Sequence, residues 1–77
     1  MKIKVLGPGC AKCNKTETLI REAVAEAGAD ADVVKITDMM EIAALGVVST
    51  PAVIVDDAVK STGKVPKKKE VMSWLGQ

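Results

Sequence analysis

The chain has 77 residues, 48% of them hydrophobic, with 11 basic and 10 acidic side chains and a formal charge of +1. A chain this short buries about 60–65% of its unfolded surface, which allows one small core and a single domain over residues 1–77. The near-neutral balance gives no electrostatic case for nucleic acid or an anionic membrane, and no apolar run is long enough to cross a bilayer. The apolar content is aliphatic, with no Phe or Tyr and one Trp. That fits an α/β protein whose central strands are Val/Ile runs. The absence of His excludes a Cys–His hydrolase, a His-ligated metal site and a histidine base.

Met1 to Leu6 alternates Lys2 and Lys4 with Ile3 and Val5, the period of a strand. Gly7-Pro8-Gly9 is a turn. From Ala11 to Ala27 the period becomes helical, with Leu19, Ile20, Ala23, Val24 and Ala27 on one face and Glu17 paired with Arg21 on the other. Gly28 is a stop signal. Ala31 to Ile36 is a second strand, so strand, helix and strand in succession predict a right-handed crossover with parallel strands. Asp38 and Glu41 have capping-box spacing for a short helix from Met39 to Leu45, ended by Gly46. Ala52 to Val55 is the most β-prone run. Asp56-Asp57 predicts a tight turn, with Ala58 to Thr62 returning antiparallel. Pro66 marks the approach to a last helix carrying Val71, Trp74 and Leu75. The element order is therefore β-α-β-α-β-β-α.

The start of the chain has no long apolar segment of the signal-peptide kind, because Lys4 and Pro8 interrupt it, and an intracellular, cytoplasmic protein is expected. In a reducing compartment two cysteines three residues apart point to catalysis or metal binding rather than to a structural disulfide. Cys10 precedes a helix, where unsatisfied N–H groups and the positive end of the dipole favour an anion. Lys12 and Lys15 add positive charge, and Lys12 is a candidate for tuning the thiol. Such surroundings bring a thiol from about 8.5 into a range of about 3.5–7.5. Cys10, nearer the turn, is the expected attacking thiol, and Cys13, one turn inside, the resolving one.

The pair is answered by Thr50-Pro51 at the head of a strand. Cys10-Ala11-Lys12-Cys13 after the first strand, followed by β, α and then Thr50-Pro51 before a hairpin, resembles the thioredoxin-like superfamily. The likeness covers nearly the whole chain and is greatest to the minimal redox-active disulfide proteins between thioredoxin and glutaredoxin. It implies a four-stranded mixed sheet in the order 2-1-3-4 with helices on both faces. It also implies that Cys10 is the nucleophile, that Cys13 resolves, and that Pro51 is cis and faces the disulfide. Thr50 would offer its backbone to an extended substrate segment. Gly63 falls where glutaredoxin-like chains have a glycine near the thiol cleft. The implied function is thiol–disulfide oxidoreduction without a bound cofactor or metal. Its implied partners are disulfide-containing proteins and a flavin reductase, glutathione or another thiol donor, with a monomer expected. Here the dipeptide is Ala-Lys rather than Gly-Pro or Pro-Tyr, no Trp precedes Cys10, and the first strand lacks the buried acid of thioredoxins.

The competing reading is a Cu(I) or Zn carrier using the same two thiolates. Ferredoxin-like metallochaperones run β-α-β-β-α-β, carry Met where this chain has Pro8, and leave Thr50-Pro51 without a role. Met39-Met40 reads as core filler and spacer, Trp74 as packing, and Lys67-Lys68-Lys69 as a solvated face, although cations there oppose the helix dipole.

Overall fold

The computed structural model describes residues 1–9 and 11–76; Cys10 and Gln77 lie outside the described residues. The chain runs β1 (Lys2–Leu6), α1 (Ala11–Ala27), β2 (Asp32–Ile36), α2 (Met39–Ala44), β3 (Ala52–Val55), β4 (Ala58–Thr62) and α3 (Lys68–Trp74). The strands form one mixed sheet in the order β2-β1-β3-β4. β1 and β2 are parallel, with Lys2 beside Asp32 and Leu6 beside Ile36. β1 and β3 are antiparallel, as are β3 and β4. This is the element order and sheet order of a minimal thioredoxin-like fold.

Burial follows from strand position. All four residues of β3 are buried, because the strand is central and covered on both faces. Alternation divides the central strands between two cores. Ile3, Val5, Val53 and Val55 face a layer holding Ile20 and Ala23 of α1, Val71 of α3 and Leu75 just beyond it. Leu6, Ala52 and Ile54 face Ile42 of α2 and Val47. The helices thus cover both faces, α1 and α3 on one and α2 on the other. Lys68 of α3 also pairs with Glu26 of α1, beside the packed faces of those two helices.

The buried stripe of α1 differs from the expected one. Cys13, Thr16, Ile20 and Ala23 are fully enclosed, while Leu19, Val24 and Ala27 are only partly buried at the margin of the core. Spacings of three, four and three residues keep the enclosed side chains on one line. Thr16 joins that line because its hydroxyl donates to the Lys12 carbonyl at 2.9 Å, which removes most of the penalty for burying it.

Two turns meet their backbone requirements differently. Asp56 and Asp57 connect β3 to β4 with φ of 47° and 70°, the pair of positive values a tight two-residue hairpin demands. Asp56 also accepts a bond from the Lys2 N–H through Oδ1 at 2.8 Å, tying the turn to the start of β1. Asp38 caps α2 by accepting from the Met40 N–H at 2.8 Å. Met39 and Met40 are both exposed, Met40 to 82%, so neither fills the core. α2 is short and anchored by Ile42 alone. Trp74 is partly buried against the α1 core, as a packing residue should be.

Candidate active site

The antiparallel pairing of β1 with β3 decides where the motifs meet. Leu6, the last residue of β1, lies opposite Ala52, the first of β3. The chain therefore leaves β1 through Gly7 at the same end of the sheet where it enters β3 from Pro51. Gly7 is held there by its N–H, which donates to the Ile36 carbonyl of β2 at 2.9 Å.

Cys13 reaches this corner from α1. An added Cβ at Gly7 would lie 2.2 Å from the Cys13 sulfur and 2.8 Å from its Cβ. The sulfur thus rests directly over the Gly7 backbone, in space that any side chain would occupy. Cys13 is fully buried, as expected for the inner thiol of the pair. Cys10 lies outside the described residues. Lys12 is exposed on the first turn of α1, a turn with no acidic residue to offset the positive end of the helix.

The Thr50–Pro51 peptide bond is cis, with Thr50 half-buried and Pro51 buried. Gly63 closes on the same segment. Its N–H donates to the Pro51 carbonyl at 2.9 Å, and an added Cβ would come within 3.3 Å of the Ser49 Cβ. With φ of +72° it also holds a conformation that L side chains rarely adopt. The fold therefore brings Cys13, Pro51 and Gly63 to one end of the sheet, with the Cys13 sulfur against Gly7 and the Gly63 N–H on the Pro51 carbonyl. Val48, three residues before Pro51, is 98% exposed.

Sequence reasoning missed three contributors. Gly7 reads as an ordinary turn glycine until its contact with Cys13 is known. Asn14 and Lys35 belong to no motif and carry no local signal in the sequence. In the fold, Asn14 Nδ2 donates to the Gly9 carbonyl at 3.4 Å, and Lys35 Nζ donates to Asn14 Oδ1 at 2.7 Å. Lys35 also pairs with Glu17 at 3.2 Å, and Glu17 with Arg21 at 3.0 Å. The hydrogen bond from Arg21, followed by that from Lys35, holds the Glu17 carboxyl below its usual value. The spacing of Glu17 and Arg21 forecasts their pair; nothing local forecasts a partner on β2.

Among the described residues the buried polar side chains are Thr16 and Ser61, and neither is an acid. The missing carboxylate of the first strand is thus not replaced from elsewhere in the described core. No described helix is long and apolar enough to cross a membrane.

Residues 1–76 match the model of a thioredoxin domain family. The chain belongs to that family. It is 45% identical over 73 residues to a thioredoxin of Methanocaldococcus jannaschii, an alignment covering 95% of this chain and 84% of that one. It is also 42% identical over 75 residues to a thioredoxin of Methanothermobacter thermautotrophicus, covering 97% of each. The element order is not the β-α-β-β-α-β of the ferredoxin-like metallochaperones.

Proposed function

We propose that this thioredoxin-domain protein is a thiol–disulfide oxidoreductase that works as a single domain through Cys10 and Cys13. The Cys10 thiolate attacks one sulfur of a substrate disulfide. A Cys10–substrate bond forms, the substrate disulfide breaks, and the first substrate sulfur leaves as a thiolate and takes up a proton. Cys13, deprotonated, then attacks the Cys10 sulfur and expels the second substrate thiolate. The Cys10–Cys13 disulfide that results holds the oxidising equivalents, and two electrons have passed to the substrate. An external dithiol or flavin reductase returns the pair to the reduced form.

The other residues act on the geometry of these steps. Lys12 and the start of α1 favour the Cys10 thiolate over the thiol. Thr50, its backbone beside Pro51, pairs with an extended stretch of the substrate. Gly63 keeps the space next to that stretch free of a side chain. The substrates are disulfide-containing proteins and the setting is the cytoplasm, where dithiols are kept reduced. The observation that carries this reading is the Cys13 sulfur seated on Gly7 at the end of the sheet where Pro51 and Gly63 also lie.

Reduction of insulin by the protein, recycled by dithiothreitol, tests it. The wild type should accelerate the reaction, and Cys10→Ser should abolish the acceleration. Equal rates with and without the wild-type protein would refute the assignment.

A further inference from the structure

The turn Gly7-Pro8-Gly9 delivers the chain to Cys10, and both of its ends are tied to consecutive residues of β2. The Gly7 N–H donates to the Ile36 carbonyl. The Gly9 carbonyl accepts from Asn14 Nδ2, and Asn14 Oδ1 accepts in turn from Lys35 Nζ. This second tie has a fixed direction. A lysine ammonium is a donor only, so Asn14 must present its oxygen to Lys35, and its NH2 group is thereby turned toward Gly9. The reverse orientation would set donor against donor and oxygen against oxygen. Lys35 is itself held by Glu17, which Arg21 holds from the other side.

A surface network like this contributes little to global stability. Its effect is local, because the series ends on the backbone immediately before Cys10: Asn14 holds the Gly9 carbonyl, and Lys35 holds Asn14. We propose that Asn14 and Lys35 are positioning residues that fix the approach of the chain to Cys10, and so set the reactivity of that thiol. This rests on the reading of Cys10 as the attacking cysteine. It adds a dependence of Cys10 on β2 that neither the two-cysteine motif nor the family likeness contains.

The test is the rate at which iodoacetamide alkylates Cys10 in the reduced protein across a pH series, with the adduct located by mass spectrometry. Asn14→Ala changes no charge, so it isolates the positioning effect. Asn14→Asp retains an acceptor for Lys35 but cannot donate to Gly9. Both variants, and Lys35→Met, should slow Cys10 alkylation at neutral pH about three- to tenfold, as loss of one hydrogen bond would, and should move the profile to higher pH. Lys35→Arg, which keeps a cationic donor, should restore the rate. The Asn14→Ala/Lys35→Met double variant should be no slower than the slower single one, since the two residues act in series. An Asn14→Ala profile superimposed on the wild type, or single effects that multiply in the double variant, would overturn the proposal. The readout is independent of disulfide reduction. Inactivity of the wild type on insulin would therefore count against the oxidoreductase reading and leave this result intact.

Discussion

The Cys13 sulfur occupies the place where a side chain on Gly7 would begin, at a separation of 2.2 Å from an added Cβ. This contact locks the first helix to the end of the first strand and fixes the depth at which the inner thiol sits. Gly7→Ala must therefore displace either the backbone of the turn or α1 itself. We expect a loss of about 1–3 kcal/mol in stability, the usual cost of forcing a group into a packed core. Denaturant titration of the variant checks the stability. Its rate of insulin reduction, expected to fall further than a stability loss alone would explain, checks the link to the site.

Gly63→Ala probes the opposite wall. The new methyl group meets Ser49 at 3.3 Å, and φ of +72° is unfavourable for alanine by about 1–2 kcal/mol. The variant should be less stable by at least that amount. If Gly63 leaves room for a bound segment, KM for a disulfide protein should rise more than kcat falls. An unchanged KM would remove Gly63 from the substrate site while leaving its conformational role.

Much of this architecture was legible in the chain. Lys2 to Leu6 and Ala52 to Val55 declared themselves as strands through alternation and β-branched content, and Gly28 and the Asp56-Asp57 pair marked their turns. The stripe of α1 was less legible. Leu19 and Val24 looked like core and lie at its margin, whereas Cys13 and Thr16 form its inner end. Hydrophobicity ranks side chains by type, but the curvature of the packing decides which of them is enclosed, and a threonine that bonds its own helix can be enclosed as well as a leucine. Gly7 and Lys35 were unreadable for another reason. Their partners, Cys13 and Asn14, are six and 21 residues away and meet them only once the helix is laid across the sheet.

The Glu17 network makes stability depend on pH in a definite sense. The folded carboxyl titrates below its ordinary value of 4.5 because Arg21 and then Lys35 donate to it. Its contribution is fully present above that ordinary value and is lost as pH falls through the lowered folded one. Glu17→Gln should therefore be slightly less stable than the wild type at neutral pH. The difference should vanish once the medium is acidic enough to protonate the carboxylate in both states. Paired denaturant titrations at the two pH values measure this; a difference that grows on acidification would contradict the sign.

The most direct test of the division of labour between the cysteines is capture of the mixed disulfide. Cys13→Ser protein, reduced and mixed with a disulfide-containing protein, should accumulate a covalent adduct through Cys10 that dithiothreitol releases and that the Cys10→Ser/Cys13→Ser protein never forms. If no adduct through Cys10 appears and Cys10→Ser still reduces insulin at the wild-type rate, the two-thiol mechanism is wrong.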